Sequence, residues 1–359
     1  MSPRPNAPRQ AATHLYHTLF TGLILTVVTR KGAQEAARWL KTVFRHQHHE
    51  KFLASFEKLG LSDKPDAVAA AAYHYLSNRI GGVDVEFMRE SDTKAWVRFP
   101  PPRWVYPGAA ICGIPSEVSR AMLTGWYAQN GVSLKNPRLG FVCTGQTVDC
   151  QDGLAGYFLE YDHDLDEIDR LVFRPGETPP IFDPDKAPIL PEAEWPPERL
   201  AKARRNYAIE YLRSSLPRLF EVFGLSEGLH LGRTACWLIG AQLARETAGS
   251  LGITARDASS FADLMIALAQ GEGDRATAET VEICNSGGSS VIVSRQSVRP
   301  LSGLGLQPPQ LFEAWNAILE GVAAGHNRAL RLEVIERPDL GRSYGQAPKT
   351  YRWRITERN

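Results

Sequence analysis

The chain has almost no excess of charge. Forty-one lysines and arginines face 40 aspartates and glutamates, for a formal net charge of +1. Nucleic-acid binding draws on a basic surplus that neutralises phosphates, so no nucleic-acid partner is expected. Cysteine is also sparse: there are five in 359 residues, with no CxxC pair. That odd, scattered set argues against a disulfide framework and reads as reduced thiols in a cytoplasmic protein. No run approaches the ~20 apolar residues of a membrane span. The most apolar stretch, Leu15 to Val28, is interrupted by His17, Thr18 and Thr21 and reads as a buried helix, so no membrane partner is expected. The opening MSPRPNAPRQAATH lacks the apolar core of a signal peptide. HExxH, GxSxG and GK[ST] are all missing, which removes zincin, α/β-hydrolase and P-loop readings.

Proline, by contrast, is concentrated. Eight of the 24 prolines fall between Pro175 and Pro197. Proline fixes φ and donates no backbone N–H, so this stretch suits neither a helix nor a central strand. It reads as an extended connector over residues 163–197. The expected organisation is a disordered tail (1–12), a first repeat (13–162), the connector, and a second repeat (198–359). Each repeat reads as α+β: three helices, then two β-hairpins with a helix between them. In the first, Asp66 to Arg79 is helical behind Asp63 and Pro65. Val83, Val85 and Phe87 alternate as a strand, Lys94 to Phe99 returns, and Arg138–Thr144 pairs with Leu154–Tyr161. In the second, strands are expected at Thr280–Asn285, Ser290–Gln296, Ala329–Glu336 and Thr350–Thr356. The shared plan reads as an internal duplication, a pseudo-dimer within one chain.

Three groups of residues could carry chemistry. His14 and His17 lie three apart on one helix, and His46 and His49 three apart on another. Residues at i and i+3 share a helix face and can share a divalent transition metal. The plainer reading of HQHHEK is a solvated helix face. The hairpin FVCTGQTVDCQDGLAGYF offers Cys143 and Asp152, with Cys143 a candidate nucleophile or simply a small buried residue. Arg352 and Arg354 alternate onto one strand face, where they could grip a carboxylate or stand as plain surface charges.

The segment RLGFVCTGQTVDCQDGLAGYFLEYD, following helices, a hairpin and an aromatic-bearing helix, resembles the L-2-amino-thiazoline-4-carboxylic acid hydrolase-like family. The resembling features are Cys143, Asp152-Gly153 and Tyr157-Phe158, and the match is best over Tyr73 to Asp162. The architecture is also similar to vinyl-4-reductase-type small-molecule-binding domains. The resemblance implies a hydrolase of a small cyclic C–N compound. Such chemistry needs an acid for the ring nitrogen and a base or metal to activate water. His46 and His49 would supply the base or metal ligands, Cys143 or Asp152 a partner, and Arg138, Tyr157, Arg352 and Arg354 the substrate contacts. A non-catalytic small-molecule-binding module and a structural or assembly partner, including a homo-oligomer, are the alternatives.

Overall fold

The computed structural model describes residues 6–282, 289–305, 307–338 and 350–358. The helices are α1 (Ala7–Lys31), α2 (Ala33–Lys51), α3 (Phe56–Leu59), α4 (Asp66–Ile80), α5 (Ser116–Gly125), α6 (Asn130–Ser133), α7 (Pro197–Ser250), α8 (Ala258–Glu272) and α9 (Gln310–His326). The strands are β1 (Glu86–Arg89), β2 (Lys94–Phe99), β3 (Leu139–Gly145), β4 (Leu154–Glu160), β5 (Leu171–Phe173), β6 (Ala276–Glu282), β7 (Ser289–Arg295), β8 (Leu330–Glu336) and β9 (Tyr351–Glu357). The protein is α+β, with two separate sheets.

The chain divides into two compact units, and the division does not follow the expected repeats. A continuous unit spans Val27–Arg204, while a split unit joins Met1–Thr26 to Arg205–Asn359. The boundaries fall inside α1 and α7. Residues 7–12, expected as disordered tail, begin α1 instead, and residues 1–5 lie outside the described residues. Ala7, Ala11 and Ala12 are buried on one helix face, and Pro8 sits in the first turn, where a missing N–H costs nothing. By length and composition α1 could cross a membrane. Its apolar residues Leu15, Leu19, Phe20, Leu23 and Ile24 are, however, buried within the protein.

In the continuous unit, α4 buries nearly its whole circumference, including Tyr73, His74, Tyr75 and Leu76. It packs on a five-stranded sheet of order β1-β2-β4-β3-β5. Alternation sends Phe87, Val97, Phe141, Cys143 and Phe158 toward that helix, and Met88, Trp96, Val142 and Tyr157 to the opposite face. The proline-rich stretch is not a free spacer. Before its prolines begin, β5 pairs parallel with β3. Phe182, Ala187, Leu190 and Trp195 pack on the core, and Trp195 Nε1 donates to the Lys58 carbonyl (2.6 Å). Burying those side chains outweighs the freedom an extended connector would keep.

In the split unit, α8 and α9 cover a four-stranded sheet of order β6-β7-β9-β8. Trp315, Trp353, Phe312 and Tyr351 form its aromatic centre. Gly224 (φ 80°) breaks α7 into two helical segments. The second segment and α9 approach closely because glycines face across the contact. A Cβ at Gly321 would strike the Trp237 carbonyl, and one at Gly240 the Ile318 carbonyl. Gly321→Ala is therefore expected to lower stability by ~1–3 kcal/mol through overpacking. A urea titration followed by circular dichroism checks this, and an unchanged midpoint would show that the helices can separate freely. The turn expected between the second-half strands, residues 286–289, lies mostly outside the described residues, as does GRSYGQAP.

Candidate functional site

The four histidines expected to hold a metal are divided between the two units. His14 and His17 belong to the split unit. His14 is exposed and lies 3.2 Å from Glu246. The His17 ring meets Tyr207 edge-on at 6.0 Å, and burial, with help from His14, lowers its pKa to about 4. His46 and His49 belong to the continuous unit. His46 is 3.4 Å from Glu50, its neighbour one turn on, and His49 is exposed. Among the described residues, no three His, Cys, Asp or Glu side chains come together as a metal-binding group. Among the described residues, neither pair therefore gains a third ligand.

The other expected site residues are committed elsewhere. Cys143 is buried in the helix-facing core, and its Sγ donates to the Gly145 carbonyl (3.4 Å). Burial pushes its thiol up to about 12, so it stays protonated at neutral pH. Asp152 is 81 % exposed and accepts from Arg98 Nη2 at 2.8 Å. Arg138 pairs with Glu160 across the hairpin. Tyr157 is buried against Trp96, with Lys94 Nζ 4.4 Å from its ring centre. Arg352 reaches Glu279 (3.1 Å) and Glu336 (3.8 Å), and Arg354 reaches Glu333 (3.2 Å). The two arginines do alternate on β9, but their partners are carboxylates of other strands of the same sheet.

The split unit contains a cleft of about 300 Å³ that the sequence reading did not single out. Three polar residues of α9, Glu313, Asn316 and Glu320, recur at i, i+3 and i+7 on a helix whose other polar residues, Gln310 and His326, stand at its ends. That spacing puts them on one face, and it is the signal that could have revealed the site. The end of β8 and the residue after it, Val334 to Arg337, form one wall, and Arg233 of α7 contributes from another side. Asn316 is buried. Its Oδ1 accepts from Trp353 Nε1 (2.8 Å), and its Nδ2 donates to Glu320 Oε1 (3.0 Å). Arg233 Nη2 donates to the other oxygen of Glu320 (2.6 Å). A chain of hydrogen bonds thus runs from the aromatic core to the cleft, fixing the Glu320 carboxylate and the Arg233 guanidinium. Across the cleft, Arg337 Nη1 donates to the Pro309 carbonyl (3.2 Å), and its guanidinium lies 5.2 Å from the Phe312 ring centre. Its contact with Glu313 is long, at 3.5 Å.

Two guanidinium groups and three carboxylates, Glu313, Glu320 and Glu336, line this space. The lining is mixed in sign with one negative charge in excess, and it suits a small molecule bearing both charges. The thiol of Cys236 lies in the field of Arg233 and Glu320, but complete burial pushes it far up, so no thiolate is offered. No family model, no curated protein and no solved structure matches this chain.

Proposed function

We propose that this protein is a small-molecule-binding module whose ligand, a compact zwitterion of the amino-acid kind, occupies the cleft between α7, α9 and β8. The observation that carries this reading is the hydrogen-bond chain Trp353–Asn316–Glu320–Arg233, which holds charged groups in place at the edge of a cavity. Pre-set polar groups on rigid elements favour binding because little side-chain freedom is lost when a ligand arrives. A volume of about 300 Å³ lies at the small end of ligand pockets. The ligand's ammonium would face Glu313 and Glu336, and its carboxylate would face Arg337, whose hold on Glu313 is loose enough to exchange.

The hydrolase reading depends on His46, His49, Cys143 and Asp152, all in the continuous unit, and it makes turnover the competing outcome. The duplication remains our reading of the chain's origin. It is supported by the equivalent strand orders β1-β2-β4-β3 and β6-β7-β9-β8, each built from two hairpins with a helix between them.

Arg337→Met keeps the stem over Phe312 and removes the charge. It is expected to weaken binding of a zwitterion found by thermal-shift screening about tenfold or more, the loss of one charge-assisted hydrogen bond. Titration calorimetry on the full chain checks this. Equal affinity in the variant would place the ligand elsewhere.

A further inference from the structure

The continuous unit holds a second concentration of polar groups, at the end of β3. Gln146 is 2 % exposed and Thr144 4 % exposed. The amide nitrogen of Gln146 donates to Asp149 Oδ2 (2.8 Å), but its carbonyl Oε1 has no partner. The hydroxyls of Thr144 and Thr147 have none either. Three unpaired buried polar atoms thus fall within four consecutive residues. Folded proteins rarely leave such atoms unpaired, because each costs free energy.

The surroundings add donors. Ser116, at the start of α5, donates to Asp149 Oδ2 (3.1 Å), and Arg120, one turn further along α5, lies 3.6 Å from the same carboxylate. Arg120 is half exposed and stacks on Phe173 (4.6 Å), so its bond to Asp149 leaves guanidinium N–H groups to spare. Arg103 rests against Phe99 and Tyr106 with its Nε–H buried and unpartnered.

We propose that the end of β3, with Gln146 at its centre, binds a small hydroxycarboxylate. The ligand's carboxylate accepts from Arg120, and its hydroxyl donates to the free carbonyl of Gln146. The spare N–H groups of Arg120 select an anion, and the single unpaired amide carbonyl selects an anion with an O–H to give. This site is independent of the cleft in the split unit, and its failure leaves that reading untouched.

The test compares glycolate with acetate, which lacks the hydroxyl, by titration of the full chain followed by NMR. Glycolate should bind about tenfold tighter than acetate, the worth of one hydrogen bond to a buried acceptor. Gln146→Met fills the same space without the carbonyl and should erase that preference. Arg120→Met, at a half-exposed position that should tolerate the change, should weaken both anions. Arg337→Met should change neither, because it lies in the other unit. Absence of binding by either carboxylate would mean that ordered water satisfies Gln146, and would overturn the proposal. A glycolate preference that survives in Gln146→Met would overturn it as well.

Discussion

Arg295→Met should destabilise the split unit by ~3–5 kcal/mol, the cost of leaving buried charges without their partner. Arg295 on β7 is almost wholly buried, and its Nη2 lies 2.6 Å from both Glu272 Oε2 and Asp274 Oδ2. Glu272 also accepts from the Tyr16 hydroxyl (2.6 Å), and Trp315 Nε1 donates to that same hydroxyl (3.4 Å). Burial works against the Arg295 charge, yet the two carboxylates outweigh it and hold its pKa above the usual value. Burial pushes Glu272 up, with Arg295 and Tyr16 pulling back. Methionine would leave two carboxylates without a counter-charge. Domains are typically stable by only ~5–15 kcal/mol, so the loss is a large fraction of the total. The surface pair Arg354–Glu333 provides the contrast, because Arg354→Met should cost at most ~1 kcal/mol. Urea unfolding of both variants gives the comparison. Equal midpoints would show that the buried network adds nothing beyond a surface pair. Adding Glu272→Gln to Arg295→Met should recover part of the loss.

Acid should unfold the continuous unit across a window set by two buried histidines. His74 stacks on Tyr127 (3.9 Å) and lies parallel to Phe158 (5.5 Å), and its Nε2 accepts from Asn130 Nδ2 (3.1 Å). The His48 ring stacks on Phe52 (4.6 Å), and its Nε2 shares a hydrogen bond with Ser133 Oγ (2.8 Å). Burial, then the neighbouring His49, lowers His48 to about 3, and burial drives His74 well below its ordinary value. Both are therefore neutral in the fold. Above pH ~6.5 neither state binds the extra proton, and the stability is fully present. As pH falls below the unfolded value of ~6.5, the unfolded chain takes up protons that the fold refuses. Stability then declines by ~1.4 kcal/mol per pH unit for each histidine, until His48 itself titrates near pH 3. His48→Gln keeps a hydrogen-bonding group and removes one of the two protons. Its acid transition should move to lower pH, with a shallower approach. A transition that coincides with the wild type would show that His48 is not one of the groups driving it.

Strand positions were the most legible part of the chain, because period-two alternation survives wherever one sheet face is buried. Lys94–Phe99 is the observed β2, and the expected limits of β3, β4, β8 and β9 differ from the observed ones by a residue at most ends. β1 is displaced. Pairing of Glu86 with Arg98, reinforced by their ion pair (2.9 Å), sets where the strand begins, and Val83 and Val85 precede it. β5 was invisible because LVF is too short to show a period and stands just before the prolines. The exchange of residues 7–26 into the unit that otherwise begins at Arg205 was also hidden. A helix's apolar face does not say which partner will cover it. Trp39 and Trp237 both stand on helices, and tertiary context alone decides that one is buried and the other 41 % exposed. The histidine pairs drew attention as chemically loud residues. The cleft instead uses glutamates, an asparagine and arginines spread over α7, α9 and β8, which only the fold brings together.

The most direct measurement is the fate of a zwitterionic ligand on the full-length protein. A hit from the thermal-shift screen is incubated with the wild type and with Arg337→Met, and the solution is then analysed by mass spectrometry alongside calorimetry. The expected result is binding that the variant weakens about tenfold or more, with all of the ligand recovered unchanged. Ligand consumed by the wild type, with turnover lost in His46→Ala/His49→Ala and retained in Arg337→Met, would contradict the binding reading and return the activity to the histidine-bearing unit.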